Sequence, residues 1–383
     1  MEKKIVVAFV FFDADFRTSV LHFTQTLAAL LKGPRIEPVL VCLRKTSRKA
    51  TDEGIPIVSL NGPKRAAILA APSLARFFAQ SGIDVAVSST TGPNFATALA
   101  ALLCRRKGRH KPRTVLVNHN TFSRNEGSNP VKRALAGWLY PRADGVVAVS
   151  RGIRDDLVRL FPRLAPATRV VYNPLLTPPE KLESLKAEAV DHPWFRDGSV
   201  PVVLNIAELF PRKDHKTLLR AFARVVRQRD ARLAVLGHKI EPTYGELAAL
   251  REELGLKDRV EFLGFHKNPF KYLARSAAFV LSSVEEGFGL VLVEAMACGC
   301  PVISTDCPSG PPEIVAHERN GLLVKPRDPE ALARAVTRIL EDGELRETLR
   351  KNGFSRAADF NLETFAEGYR SLVLQVSQEG AWS

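Results

Sequence analysis

Short apolar runs alternate along the chain with longer segments whose apolar residues recur every three or four positions. The first run, 5–12, predicts a buried strand, and 19–31 predicts a helix through Leu21, Thr24, Leu27, Ala28 and Leu31. Further strands are predicted at 38–43, 85–87, 114–117, 145–149 and 170–172. Between them helices are predicted at 66–78, 95–103, 131–140 and 151–161, the last capped by Ser150. Strands that are apolar throughout belong to sheets covered on both faces, so this half predicts a parallel, doubly wound sheet. Residues 175–199, with Pro178, Pro179, Pro193 and Gly198, predict a linker. A second series follows, with strands at 202–206, 232–236, 260–263, 278–281, 301–305 and 322–324. Its helices fall at 217–226, 247–254, 290–298, 329–340 and 345–357, and a last one at 362–376.

The stretch 277–314 departs most from ordinary patterning. A strand leads into a loop with two glycines, Glu285-Glu286-Gly287-Phe288-Gly289, and then into a helix closed by Gly299. That helix is apolar all round, which predicts burial, yet Glu294 sits in its middle. A buried carboxylate costs several kcal/mol unless donors meet it, and a sugar diol supplies two. Amides at the start of the helix favour an anion. Two carboxylates flanking an anion cradle suit a phosphate joined to polyols, as in a nucleotide-sugar. Taken singly, the same residues would suit a buried Glu–Arg pair and a plain glycine turn.

Glu286-Gly287-Phe288-Gly289 through Glu294-Ala295-Met296-Ala297-Cys298-Gly299 resembles the signature of the family-four retaining glycosyltransferases. The resemblance covers nearly the whole chain and is strongest from Val202 to Pro326. It implies an α/β GT-B fold, two Rossmann-like doubly wound domains facing a central cleft. The domains expected are 1–175 for the acceptor and 200–358 for the nucleotide-sugar, with a last helix near 360–378 crossing back onto the first. It also implies that Glu294 holds the ribose hydroxyls, and that Glu286 with the amides of Gly287, Phe288 and Gly289 holds the donor sugar. The amide of Leu290, with Lys213 and Arg212, would stabilise the departing diphosphate.

Asn205 to Lys216 resembles the family segment whose Arg and Lys hold the diphosphate. Lys213 matches the Lys, but Glu208 stands at the Arg position, leaving Arg212 to substitute or Lys213 to act alone. A lysine at a helix start opposes the helix dipole, which points to a role other than helix stability. His119 ends the strand 114–117 and matches a family His that lines the donor-sugar pocket. Relatives commonly carry a Gly-Gly pair after the first strand. This chain has Phe11 to Ser19 without glycine, so Arg17, Thr18 and Ser19 are candidates to replace those contacts. Asp13-Ala14-Asp15 has the form of a metal-binding Asp-x-Asp, but its place in the first strand–loop unit argues against that role, and metal independence is expected. Glu313 reads as a helix-dipole partner.

Charge adds one feature. Residues 1–179 hold 27 Lys and Arg against 11 Asp and Glu, while the whole chain of 383 residues carries +14. The basic excess therefore lies entirely in the first half, densest at Arg105 to Arg113 with Arg44, Lys45, Arg48 and Lys49. An anionic membrane surface or a lipid-phosphate-linked acceptor fits it, and so does a solvated basic surface with no partner. No aromatic residues interleave the basic ones, so nucleic acid is not expected. Cys42, Cys104, Cys298, Cys300 and Cys307 are scattered and odd in number, which fits a reducing cytosol and small buried side chains rather than metal ligands. No apolar run approaches a membrane span, so a cytoplasmic enzyme, peripheral at the inner membrane face, is expected. The reading is a retaining transferase moving a sugar from a nucleotide-diphosphate sugar, without cofactor, to an acceptor that is lipid-linked or a cell-surface polysaccharide precursor. His119, Lys213 and Glu286 are its candidate catalytic residues. A phosphorylase or epimerase of the same fold, and a basic nucleic-acid-binding protein, are the alternatives.

Overall fold

The computed structural model describes residues 4–13, 19–62, 66–106, 111–196 and 198–378. The chain divides into two compact units, Met1–Leu176 with Leu362–Ser383, and Thr177–Asn361.

The first unit holds strands β1 (Ile5–Phe11), β2 (Ile36–Cys42), β3 (Ile57–Ser59), β4 (Val85–Ser89), β5 (Arg113–Asn118), β6 (Gly145–Ala148) and β7 (Thr168–Val170). Its helices are α1 (Ser19–Leu31), α2 (Ala71–Ser81), α3 (Thr91–Arg106), α4 (Phe122–Asn125), α5 (Pro130–Leu139) and α6 (Arg151–Leu160). All strand pairs are parallel, in the order β3-β2-β1-β4-β5-β6-β7. The pattern missed the edge strand β3, whose two apolar residues follow Gly54 and Pro56, which read as turn residues. Ala8, Val10, Leu74, Phe78, Ala96 and Ala100 form one core beneath α2 and α3.

The second unit holds β8 (Val202–Ile206), β9 (Arg232–Leu236), β10 (Val260–Gly264), β11 (Ala278–Leu281), β12 (Val302–Thr305) and β13 (Leu322–Val324). They are parallel, in the order β10-β9-β8-β11-β12-β13. Its helices are α7 (Pro179–Ala187), α8 (His215–Val225), α9 (Thr243–Glu253), α10 (Phe270–Leu273), α11 (Leu290–Ala297), α12 (Pro311–Ile314), α13 (Pro329–Glu341) and α14 (Gly343–Ala357). Leu218, Leu219, Phe222 and Val225 of α8 are buried against the sheet and α13. Each such side chain contributes roughly 1.5–3 kcal/mol.

The stretch expected to be a linker is folded. Leu182 of α7 is buried, and side chains from the α10 region donate to its carbonyls: Asn268 Nδ2 to Leu185 O at 2.8 Å and Arg275 Nη1 to Lys186 O at 2.9 Å. The period misses α7 because a single buried leucine and bonds to its carbonyl end replace an apolar stripe.

The last helix, α15 (Leu362–Gln378), belongs to the first unit. Phe365 and Tyr369 close an aromatic cluster on Phe23 of α1, and Gly145 leaves room for Leu372 and Val376. All five cysteines are buried and unbridged. No helix among the described residues is long and apolar enough to cross a membrane.

Candidate functional site

In an open α/β sheet, ligands bind beyond the carboxyl ends of the strands where the strand order reverses. In the second unit that point lies between β8 and β11, and the two loops leaving them meet there. Lys213 Nζ lies 2.5 Å from Glu286 Oε1, with both side chains mostly buried. Ser283 Oγ donates to the same carboxylate oxygen at 2.7 Å. The backbones are tied as well: Val284 N donates to Arg212 O at 2.9 Å, and Ser282 Oγ to Lys213 O at 2.8 Å.

A third loop braces the second. Ser309 Oγ donates to Glu286 O at 2.6 Å, and Thr305 to the carbonyl of Ser283. Gly310 has φ +82°, and a Cβ there would meet Phe288 O at 2.1 Å. Only a glycine lets these two backbones approach so closely. Arg356 completes the brace, donating to Glu313 O at 2.7 Å and stacking over Phe360, whose ring packs edge-on against Phe288 at 5.5 Å. Glu313 Oε1 caps Gly310 N at 3.4 Å, a structural role.

Phe288 is buried, so the Gly-Phe-Gly turn is anchored by its ring, and Gly289 with φ +87° starts α11. The amides of Leu290 and Val291 fall in the first turn, where no intrahelical acceptor exists. Glu294 lies half-buried on the same helix, and among the described residues its carboxylate has no hydrogen-bond or ion-pair partner. Burial pushes its carboxyl up to about 7. The geometry is an amide-lined cradle between one carboxylate carrying a lysine and a second awaiting a donor.

Arg212 is not drawn into this cluster. It is exposed, with its guanidinium 5.7 Å over the ring of Phe210. Glu208 is exposed as well. Beneath the loop, Asn205 Nδ2 donates to Val280 O at 2.8 Å and pairs with His215 Nε2 at 3.1 Å, linking β8, α8 and β11. Burial, helped by nearby Lys213, lowers the His215 imidazole to about 4.

His119 lies in the first unit, at the end of β5 beside a cavity of about 280 Å³. Thr90, Thr91, Asn118, Asn120, Thr121 and Glu126 also line it. A buried chain fixes its floor: Ser88 donates to Asn94 at 2.8 Å, Asn94 to Tyr140 at 3.3 Å, and Tyr140 to Asn118 at 3.0 Å. Phe23 meets the His119 ring edge-on at 5.0 Å. Burial lowers the imidazole to about 4, so it is neutral near pH 7, and its Nε2 is buried without a partner.

Asp13 is committed to Arg44, and no cluster of three or more metal-ligating side chains occurs among the described residues. Asp15, Arg17 and Thr18 lie outside the described residues, as do Lys107 to His110 of the basic run. Ser283, Ser309 and Arg356 escaped the sequence reading, since a lone serine or arginine has no pattern until the loops are brought together.

A family model described as "Glycosyl transferases group 1" matches residues 188–356, and one described as "Glycosyltransferase Family 4" matches 19–175. The chain belongs to this glycosyltransferase family. The transferase is 32% identical over 284 residues, 73% of each chain, to a Campylobacter jejuni protein named N-acetylgalactosamine-N,N'-diacetylbacillosaminyl-diphospho-undecaprenol 4-alpha-N-acetylgalactosaminyltransferase. It is 28% identical, over 74% of its own length and 73% of the other, to the N-acetyl-alpha-D-glucosaminyl L-malate synthase of Bacillus anthracis. Among solved structures, Anabaena Alr3699/HepE in complex with UDP and glucose superimposes with a TM-score of 0.80 at 23% identity, covering 97% of this chain and 100% of that one. The fold of the glycosyltransferase is therefore GT-B, with two Rossmann-like units.

Proposed function

We propose that this glycosyltransferase moves a sugar, with retention of anomeric configuration, from a nucleotide-diphosphate sugar to a lipid-linked acceptor in glycan assembly. The observation that carries the donor half is the pairing, across the N-terminus of α11, of Lys213–Glu286 with an unpartnered Glu294. Glu294 accepts the ribose hydroxyls. The amides of Gly287, Phe288, Gly289 and Leu290 surround the diphosphate and the sugar. Lys213 exchanges Glu286 for a diphosphate oxygen, which frees Glu286 to accept a sugar hydroxyl. As the C1–O bond to the phosphate breaks, the acceptor oxygen bonds C1 from the same face and its proton passes to the leaving phosphate oxygen. Lys213 and the amide of Leu290 stabilise the charge that develops there. His119, neutral and with one ring N–H, can hydrogen-bond a sugar hydroxyl at the cavity of the first unit, and it is not charged near pH 7.

The names of the relatives support a UDP-linked hexose or N-acetylhexosamine and, for the Campylobacter protein, a diphospho-undecaprenol acceptor. No step calls for a metal or cofactor, and association with the inner membrane face fits the acceptor.

The experiment is thermal denaturation with UDP-, GDP-, ADP- and TDP-sugars, with and without chelator, on wild type and Glu294→Ala. A ligand of the folded state raises the midpoint. One nucleotide class raising it, insensitive to chelator and lost in the variant, supports the donor site. No shift with any donor sinks it. The anomeric proton coupling of the product, read by NMR, decides retention.

A further inference from the structure

We propose that the exposed face of α5 docks onto an anionic phospholipid bilayer, an inference that rests on the reading of a lipid-linked acceptor. Helix α5 has the sequence PVKRALAGWL. Its inner side buries Ala136 and Leu139. The outward side carries two of the few large apolar side chains exposed among the described residues, Val131 at 73% and Trp138 at 42%. Ala134 is exposed too, and Leu135 half-buried. Val131, Ala134, Leu135 and Trp138 follow the i, i+3, i+4, i+7 spacing, so they form one stripe.

Cations border the stripe. Arg133 is exposed, and among the described residues it has no acidic partner. Arg142 lies 5.1 Å over the Trp138 ring and holds its carbonyl at 2.5 Å, which fixes the indole beside a guanidinium. An amphipathic indole flanked by arginines suits the level of lipid headgroups.

Charge chooses the occupant. The unit containing α5 holds 28 Lys and Arg against 14 Asp and Glu, whereas the other holds 27 of each. A second copy docking here would bring two strongly cationic surfaces together. An anionic bilayer gains from the same charge.

The placement also serves the reaction. Lys132, near the start of α5, lies 2.5 Å from Glu126, and Glu126 lines the His119 cavity. That cavity offers threonine, asparagine and one carboxylate side chain, a lining that suits sugar hydroxyls better than a bare phosphate. A bilayer resting on α5 would present the sugar of a lipid-linked acceptor beside this opening.

The test is co-sedimentation of the full chain with phosphatidylcholine vesicles, with and without phosphatidylglycerol. Wild type, Val131→Asp, Trp138→Ser and a control, Phe354→Ser, on the second unit are compared. The expected result is binding to the phosphatidylglycerol vesicles, weakened at least roughly tenfold by either α5 change and unaltered in the control. The emission lost on replacing Trp138 by Phe should be the component that shifts to the blue with vesicles. Titration with the UDP-sugar should be unchanged in the α5 variants, which shows that they fold. Variants sedimenting like wild type overturn the proposal. So does a wild-type dimer that Val131→Asp splits, since the face would then belong to a second copy. Vesicle binding that depends on α5, without transfer to any lipid-linked acceptor, upholds the docking surface and removes the acceptor reading instead.

Discussion

Lys213 and Glu286, 73 positions apart, meet at 2.5 Å where the loops after β8 and β11 converge. The contact places a cation and a carboxylate at the reversal of strand order, the position an open α/β sheet reserves for ligands. Replacing Lys213 by Met removes the charge and keeps the stem. The expected outcome is a fall in kcat of at least about 100-fold, the effect of removing one preorganised stabiliser of a developing anion. Steady-state kinetics with saturating donor measure it, and a change confined to KM would show that Lys213 only binds.

If Glu294 holds the ribose as proposed, donor binding should depend on pH. Its carboxyl is raised by burial to about 7, so between pH 8 and pH 6 it passes from mostly ionised to mostly protonated. Only the carboxylate accepts both ribose hydroxyls, so affinity for a UDP-sugar should fall roughly tenfold over that range, following the ionised fraction. In Glu294→Gln calorimetric titration should give weak binding with no such slope. Because the folded value lies above the unfolded one, ionising Glu294 costs stability as pH rises. Glu294→Gln should therefore be more stable than wild type at pH 8, by on the order of 3 kcal/mol, and no more stable at pH 4.

The buried imidazoles act in the opposite sense. His119 and His215 are both lowered to about 4, so the unfolded chain binds protons that the folded chain refuses. Stability from these groups is full above pH 6.5 and is lost as pH falls toward 4. Each is worth on the order of 3 kcal/mol across that window, against a similar but opposite contribution from the single Glu294. Two imidazoles outweigh one carboxyl, so the urea midpoint should fall between pH 6.5 and 4, and His215→Gln should flatten that fall.

Gly310 sets the position of the Gly287–Gly289 turn. An alanine Cβ would sit 2.1 Å from Phe288 O and would also hold a left-handed φ. Backbone cannot yield there as a flexible side chain could, so Gly310→Ala should displace the Gly287–Gly289 turn and weaken UDP-sugar affinity by tenfold or more. Gly255→Ala, where the φ is also positive but the space is open, is the control. It should cost about 1 kcal/mol of stability and leave affinity intact.

Most of the α/β alternation was legible because parallel strands are apolar throughout and their helices keep a 3.6-residue stripe, as in β8, α8 and β11. The failures have physical causes. The strand β3 follows Gly54 and Pro56, which read as turn residues, and α7 is held by side chains donating to its carbonyls rather than by its own apolar face. At the candidate site, Gly287, Phe288, Gly289 and Glu294 were readable since they share one local strand–loop–helix segment.

The sequence by itself determined the two series of parallel strands, the Gly-Phe-Gly turn and the carboxylate inside an apolar helix, all properties of neighbouring residues. Tertiary structure alone decided that Lys213 faces Glu286, that Arg212 turns away onto Phe210, and that Ser283, Ser309 and Arg356 brace the loop after β11. It also decided which part of the basic half carries an apolar face, α5. Such pairings depend on how loops separated by tens of residues are brought together at a sheet edge. Strand order sets that, and no local pattern encodes it.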